Sequence, residues 1–242
     1  MARLPGFAGL HPLAPEDQAQ GALMLFAHLE RCLAEISGMD AISLQPAAGA
    51  QGELAGMKLI RAYHQDQGSP RKKVLIPASA HGTNPASAAL CGYDIVPVAT
   101  GQDGMLHAEE VAKCTYSDVA ALMVTNPNTI GLFERGILQI TKTLHDQGAL
   151  VYMDRANLNA LMGVAKPGHM GADVMHFNLH KTFSTPHGGG GPIGVKTILE
   201  PYLPIPGVKT IPNRLGGSAR FTATSVFWFA PTRIYWRWAA MV

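Results

Sequence analysis

The sequence contains few charges and few cysteines. Charged residues make up 15% of the 242 residues, and the net charge of +2 comes from scattered lysines and arginines. A nucleic-acid-binding domain concentrates basic residues on one face, so nucleic acid is not expected as a partner. The cysteines Cys32, Cys91 and Cys114 are far apart and form no Cys-x-x-Cys pair. This spacing argues against a disulfide framework or a thiolate metal site and favours a reducing, cytoplasmic location.

Long uncharged apolar runs are also missing. A membrane-spanning helix needs about 18 or more such residues in a row, so a membrane is not an expected partner. The first residues, MARLPGFAGLHPLAPED, contain no charged region leading into an apolar run and no cleavage-like site. Neither a signal peptide nor a transit peptide is therefore predicted.

The sequence does contain apolar strands that alternate with amphipathic helices. A helix is predicted over 16–37, ending at Gly38, because apolar residues recur there at intervals of three and four. The other predicted helices cover 54–65, 84–93 and 137–147, and the predicted strands cover 41–45, 73–77, 94–99, 119–126, 149–154 and 173–177. This order predicts an α/β fold with a mostly parallel sheet covered by helices on both faces.

Polar residues follow several of these strands. They are Ser79, His81, Thr125, Asn126, Asp154, His180 and Lys181. Parallel strands present their carboxyl ends at one edge of a sheet, where ligands bind. The sequence therefore predicts one site assembled from several strand ends.

Lys181 lies in HFNLHKTFSTPHGGGGP (176–192), among histidines and ahead of four glycines. Since it follows an apolar strand, we expect partial burial, which favours the neutral amine that condenses with a carbonyl. A Schiff-base lysine commonly serves pyridoxal phosphate (PLP). This cofactor needs a carboxylate at its pyridine nitrogen, a ring stacked on its face and an anion site for its phosphate.

Three features can meet these needs. Asp154 can supply the carboxylate, although an aspartate at this place can also cap a helix. His81 can stack on the ring, or it can be a loop histidine satisfied by hydrogen bonds. The small residues of PAAGAQGE (46–53), where a strand gives way to a helix, can expose backbone N–H groups to a phosphate. This turn fits neither the GxxxxGK[ST] nor the GxGxxG pattern, which argues against a nucleotide ligand.

Two other chemistries are disfavoured. His176 and His180 are four residues apart, but they fall on a strand entering a loop, with no HExxH motif and no acidic third ligand nearby, so no metal site is predicted. Ser79 and Ser184 lack the GxSxG motif of serine hydrolases.

Five motifs in colinear order resemble the glycine decarboxylase P-protein family, in particular its lysine-bearing second subunit. They are QPAAGAQGE (45–53), SAHGTNPASA (79–88), VTNPNTIGLFER (124–135), DRANLNALMG (154–163) and NLHKTFSTPHGGGGP (178–192). The resemblance covers roughly residues 3–205 and implies the type I fold of PLP enzymes. It further implies decarboxylation of glycine, with transfer of the aminomethyl group to the lipoyl arm of H-protein.

The resemblance also assigns roles to individual residues. It implies that Lys181 links covalently to PLP, that His81 stacks on the ring and that Asp154 holds the ring nitrogen. The residues implied to lie beside the phosphate or the cofactor are Ala50, Gln51, Asn157 and His180. The loop implied to admit glycine and the lipoyl arm is His187, Gly188, Gly189, Gly190 and Gly191. A companion subunit 1 or a homodimer is the implied assembly.

The chain departs from the family pattern in three ways. Arg155 replaces the usual glycine, and a cation at this position can pair with Asp154 and draw it away from the ring. Pro192 leads straight into Ile193, which shortens the glycine loop. Residues 1–210 are predicted to form the PLP-binding large domain, and the small C-terminal domain is expected to be largely missing.

Residues 211–242 form an aromatic-rich tail. We favour a helix that packs on the core or on a partner over a membrane-surface element, since no lysine-rich face accompanies the aromatic residues. Two alternatives to glycine decarboxylation remain open. One is another PLP reaction, such as aldol cleavage or transamination, and the other is a non-catalytic chain that only binds a partner subunit.

Overall fold

The computed structural model describes residues 9–11, 14–183, 185 and 190–203. The predicted aromatic-rich tail, 211–242, lies outside these residues, so its structure stays a prediction. Within the described part of the chain, no helix is both long enough and apolar enough to cross a membrane.

Seven strands form one sheet. The strands are β1 (Ala41–Ser43), β2 (Lys73–Pro77), β3 (Asp94–Val98), β4 (Val119–Thr125), β5 (Leu150–Arg155), β6 (Val174–Phe177) and β7 (Ile193–Val195). Their order across the sheet is β1-β7-β6-β5-β4-β2-β3. Strands β3, β2, β4, β5 and β6 pair in parallel, whereas β7 is antiparallel to both of its neighbours. The prediction of a mostly parallel sheet is confirmed.

Helices cover both faces of the sheet. They are α1 (Gln20–Ser37), α2 (Gly49–Asp66), α3 (Thr83–Leu90), α4 (Ala108–Cys114), α5 (Ile137–Asp146) and α6 (Leu179–Thr182), and short 3-10 helices lie at Glu16–Gln18, Pro167–Met170 and Thr197–Tyr202. Apolar residues of α1, α4 and α5 form one buried cluster with the sheet, and those of α2 and α3 form a second cluster on the other face. Parallel strands covered in this way read as continuous apolar runs, which is why 119–126 and 149–154 were recognisable as strands.

Helices α4 and α6 and strand β7 escape the sequence patterns because they are short. They have 7, 4 and 3 residues, so none of them shows a full hydrophobic period. The end of α1 is where the sequence places it. Gly38 adopts a left-handed conformation with φ of 71°, and its N–H donates to the carbonyl of Ala34.

Helix α2 lies unusually close to the sheet because one of its faces carries glycines. A Cβ atom added at Gly52 would come within 3.0 Å of the carbonyl oxygen of Gly191, and one added at Gly56 would come as close to the ring of Tyr152. Side chains at these positions would push the helix away from β5 and β6. The glycines therefore place the start of α2 against the carboxyl ends of the central strands.

Candidate active site

A cavity of about 460 Å³ lies at the carboxyl ends of the parallel strands. Its wall is built by the start of α2 and by the segments that follow β2, β4, β5 and β6. The residues that the sequence predicts for the site and that line this cavity are Ala50, His81, Thr125, Asp154, Asn157 and Lys181. The structure thus brings these strand ends to one place, as the parallel topology requires.

Asp154 is a buried carboxylate at the end of β5, with 7% of its surface exposed. Its Oδ1 accepts a hydrogen bond from the N–H of Ala156 at 3.0 Å and lies 3.7 Å from Nε2 of His176 on β6. Nδ1 of His176 shares a short hydrogen bond with the hydroxyl of Tyr152. Because Asp154 lies within a strand and is followed by turns, it does not cap a helix.

His176 is fully enclosed, and burial lowers the pKa of its imidazole. The charge of Asp154 acts in the opposite direction, whereas those of Lys181 and Arg155 lower the pKa further. Asp154 therefore has a buried imidazole beside it and a cavity in front of it. This arrangement suits a carboxylate that receives a charged ring N–H.

Glu53 is a second buried acid in the cavity wall. It lies on α2 with 3% of its surface exposed, and its Oε2 contacts Oγ1 of Thr83 at 3.0 Å. Burial is the largest cause that raises the pKa of Glu53, and the charge of Asp154 adds to it, while hydrogen bonds from Ser87 and Thr83 act against it. Sequence patterns did not mark this residue. The available signal was a lone acid at 53 within the buried glycine face of α2.

Glu53, Asp154 and His176 have donor atoms that all lie within 4.8 Å of one another. Two carboxylates and an imidazole at this spacing could hold a divalent cation. Asp154 cannot serve a cation and a pyridine nitrogen at the same time, so the two uses of this cluster exclude each other. His176 and His180, which the sequence analysis disfavours as a pair of metal ligands, are separated here, since His176 lines the cavity and His180 does not.

The start of α2 offers backbone N–H groups to the cavity. The first N–H groups of a helix have no acceptor within the helix, which makes them suitable for an anion. Gly49 and Ala50 line the cavity, and a Cβ atom at Gly49 would overlap the side-chain oxygen of Asn178. Gln51 does not line it, and its Oε1 accepts a hydrogen bond from the N–H of Ala47 at 2.8 Å. The absence of a side chain at Gly49 thus leaves room for the side chain of Asn178.

Lys181 and His180 lie on α6, a helix of 4 residues directly after β6. Lys181 lines the cavity and is exposed. The partial burial expected from its apolar strand is not observed, because α6 carries the lysine beyond the sheet edge to the rim of the cavity. His180, its neighbour, points elsewhere and does not contribute to the wall.

The glycine loop is only partly described. His187, Gly188 and Gly189 lie outside the described residues, so their role in admitting substrate stays a prediction. The N–H of Gly191 donates to the carbonyl of Pro46 at 2.9 Å. A Cβ atom at Gly191 would overlap the backbone of Ala48. The last glycine of the loop is therefore explained by its packing against the start of α2.

Arg155 does not form the expected ion pair with Asp154. Successive residues of a strand point to opposite faces, so the two side chains diverge. The Nη2 group of Arg155 donates to the carbonyl of Asn157 at 2.7 Å, and its Nε and Nη1 have no partner within the described part of the chain. Burial lowers the pKa of Arg155 to about 10. Asp154 consequently keeps its place beside His176.

Solved structures define the class to which this fold belongs. A crystal structure of glycine decarboxylase (P-protein) of the glycine cleavage system, in inhibitor-bound form, is similar with a TM-score of 0.65 and 23% identity, over 84% of this chain and 45% of that chain. A tetra mutant of Thermus thermophilus aspartate aminotransferase is similar with a TM-score of 0.55 and 13% identity, over 71% and 49%. The fold is the type I fold of PLP-dependent enzymes, and this prediction is confirmed.

Sequence comparison then gives the family. The family profile of the glycine cleavage system P-protein matches residues 9–219, and this chain belongs to that family. The "Probable glycine dehydrogenase (decarboxylating) subunit 2" of Chlorobium phaeobacteroides is 56% identical over 221 residues, which cover 90% of this chain and 46% of that protein. A protein of the same description from Chloroherpeton thalassium is 57% identical over 210 residues, 85% of this chain and 43% of that protein. The chain spans about half the length of these relatives.

Proposed function

We propose that this chain binds PLP and decarboxylates glycine, passing the aminomethyl group to the lipoyl arm of H-protein. Its relatives are described as glycine dehydrogenase (decarboxylating) subunit 2. The observation that carries the proposal is the shared cavity of Lys181 and Asp154, an amine and a buried carboxylate that come from the ends of two neighbouring strands.

The residues present fit PLP. The start of α2, with Gly49 and Ala50, offers N–H groups to the phosphate, and Asp154 offers a carboxylate to the pyridine nitrogen. Thr125 lies beside Asp154 in the sheet, and its buried Oγ1, which has no partner among the described residues, can take a polar group of the cofactor. PLP would supply an aldehyde for an amine and a ring that withdraws electrons.

The protein side chains would bind and orient the reactants. Lys181, an exposed amine in the cavity wall, would hold the cofactor covalently. Asp154, which lies beside His176, would hold a proton on the ring nitrogen. His81 and Asn157 would border the ring, and Gln51 and His180, which do not line the cavity, would act at most through their backbone or their neighbours.

We further propose that a companion subunit 1 covers the cavity mouth, with a homodimer as the other possible assembly. Loops 128–135 and 156–165 border the cavity. Their exposed large apolar side chains are Ile130, Leu132, Phe133, Met162 and Val164. Exposed apolar side chains grouped around a site mark interaction surfaces.

The three free cysteines, Cys32, Cys91 and Cys114, support a cytoplasmic location.

The covalent bond to Lys181 is the first test. The full chain is mixed with PLP, the visible absorption is recorded, and borohydride is added before peptide mapping. We expect an absorption band that borohydride abolishes and a reduced label on Lys181. Lys181→Ala should remove band and label, whereas Lys142→Ala, which changes an exposed lysine in an ion pair with Asp146, should keep both. A label on other lysines only would overturn the proposal.

The reaction is tested by exchange of labelled CO2 into glycine. We expect exchange that requires glycine and is stimulated by lipoylated H-protein, measured with the companion subunit present and absent. Aldol cleavage or transamination without exchange would show that the cofactor serves a different reaction. A covalent label on Lys181 without any of the three reactions would favour a chain that only binds its partner.

A further inference from the structure

Glu134 is a buried acid outside the cavity wall. It belongs to the motif VTNPNTIGLFER (124–135), which follows β4, and 1% of its surface is exposed. Both of its carboxyl oxygens accept hydrogen bonds. Oε2 accepts from the N–H of Leu106 at 2.7 Å, and Oε1 accepts from Nδ2 of Asn128 at 2.8 Å. A buried polar group is costly unless its hydrogen bonds are kept, so the acid fixes the positions of both donors.

The backbone of Glu134 closes a loop over 126–134. Its N–H donates to Oδ1 of Asn126 at 2.8 Å, and its carbonyl accepts from Nδ2 of the same side chain at 3.4 Å. The carbonyl also accepts from the N–H of Ile137, the first residue of α5, at 3.1 Å. The two ends of the loop are therefore held together at the point where β4 leads towards α5.

Asn128 carries the order imposed by Glu134 into the rest of the loop. Its Oδ1 accepts from the N–H groups of Ile130 at 3.2 Å and Leu132 at 3.0 Å. Its Nδ2, which donates to Glu134, also donates to the carbonyl of Gly104 at 3.0 Å. Gly104 lies between β3 and α4, so the same acid and amide join the segments that follow β3 and β4.

The loop reaches the cavity through Asn128 and Thr129, which both line it. The hydroxyl of Thr129 donates to the carbonyl of Ser79, in the segment between β2 and α3 that carries His81. Glu134 is not among the residues that line the cavity, so it can act on a bound molecule only through its neighbours. The contacts thus link the segments that follow β2, β3 and β4.

We propose that Glu134 is a positioning residue. It fixes Asn128 and Thr129 as a wall of the cavity and, through the bond from Thr129 to Ser79, it holds the segment that carries His81. An amide at 134 has one acceptor oxygen instead of two, so it would direct an NH2 group at one of the two donors. Only the consequence for a cofactor ring beside His81 rests on the proposed function.

Hydrogen exchange of the full chain, followed by peptide mass spectrometry, tests the proposal without cofactor. We expect exchange in Glu134→Gln to be about tenfold faster or more in 104–106, 126–134 and 78–81, since a lost buried partner changes a local opening equilibrium by at least that factor. Helix α1 should keep its wild-type exchange. The matched control is Glu109→Gln, which changes an exposed acid on α4 and should leave all of these segments unchanged. Unchanged exchange in 126–134, or faster exchange that does not extend to 78–81, would overturn the proposal.

Variants of Thr129 test the last step. Thr129→Val removes the hydroxyl, so 78–81 should exchange faster while 104–106 stays protected. Thr129→Ser keeps the hydroxyl and should restore the wild-type exchange. Protection of 78–81 in Thr129→Val would show that other contacts hold this segment, and the step from Thr129 to Ser79 would be wrong.

A spectroscopic measurement with PLP links the loop to the site. The visible circular dichroism of PLP bound to Lys181 reports how the ring is held. Its intensity should fall in Glu134→Gln and Thr129→Val and should be kept in Thr129→Ser and Glu109→Gln. An unchanged signal in the first two variants would contradict a positioning role. If no PLP binds to Lys181 in the wild type, the proposed function fails, whereas the exchange in 78–81 still decides the role of Glu134.

Discussion

Asp154 and Arg155 are neighbours at the end of β5, and both are buried, with 7% and 3% of their surfaces exposed. Asp154 faces α2 and the cavity, where it has a backbone N–H and an imidazole beside it. Arg155 alternates with Asp154 along β5 and also lines the cavity, but only one of its three guanidinium nitrogens has a partner among the described residues. Burial alone therefore does not identify a functional charge. The difference lies in the partners that each face supplies.

The largest change in the free energy of unfolding is expected at Gly191. This residue packs against the backbone at the start of α2, on the side of the sheet that carries Asp154. In Gly191→Ala the new Cβ overlaps the backbone of Ala48, which cannot rotate away as a side chain can. We expect a loss of about 3 kcal/mol in the free energy of unfolding, the upper end of overpacking costs, measured by urea denaturation.

Gly21→Ala in α1 is the matched control. An added Cβ there meets nothing within 4 Å, so the better helix propensity of alanine should raise stability by up to about 1 kcal/mol. If Gly191→Ala and Gly21→Ala changed the free energy of unfolding equally, the start of α2 would not be held by tight packing against Gly191.

Removing the charge of Arg155 should raise the free energy of unfolding, in contrast to the loss expected at Gly191. Arg155→Met keeps much of the apolar stem and removes a buried guanidinium with unpaired nitrogens, so the free energy of unfolding should rise by about 1–3 kcal/mol. Burial favours the neutral form of Arg155, which means that holding the charge at neutral pH costs stability. Arg135→Met, at an exposed position, should change stability by less than about 0.5 kcal/mol. A destabilised Arg155→Met would show that the guanidinium has effective partners.

The smallest change in the free energy of unfolding is expected for a third buried charge, Asp173. This residue directly precedes β6, at the amino ends of the parallel strands. Oδ2 of Asp173 accepts hydrogen bonds from the N–H of Val151 at 2.7 Å and from Nε2 of His145 at 2.8 Å. The bond to Asp173 raises the pKa of His145 above 6.5, so the stabilisation is complete below pH 6.5 and is lost as the pH rises through the raised pKa.

Since 39% of the His145 side chain is exposed, this contribution should stay below about 1 kcal/mol. The measurement compares the free energy of unfolding of the wild type and His145→Gln at acidic and alkaline pH. The difference between the two proteins should shrink as the pH rises. A difference that is independent of pH would mean that His145 stabilises the fold as a neutral ring.

The sequence predicted the parts of this molecule that repeat a pattern. Apolar runs marked β4 and β5, and a glycine marked the end of α1. Strand β7 was missed because three residues after a glycine loop carry no period. The antiparallel edge of the sheet was missed with it.

For the site, the rule that ligands bind at strand ends was enough to bring Asp154, His81 and Lys181 together. It did not find Glu53, which comes from a helix and whose importance depends on its neighbours in space. The pairing of Arg155 with Asp154, which the sequence left open, is not formed, because adjacent residues of a strand diverge. Gln51 and His180 show that proximity in a motif does not fix the direction of a side chain.

The pairing of β1 with β7 has a consequence for how the molecule is made. Ala41 lies opposite Val195, and Asp40 accepts hydrogen bonds from Lys196 and Thr197, so the early chain is completed by residues that leave the ribosome much later. Gly191, which holds the start of α2, belongs to the same late segment. During synthesis the turn before α2 lacks its contact with Gly191 until that residue has been made, and contacts so distant in sequence form slowly. The start of α2 can therefore be completed only after residues 191–197 have been synthesised.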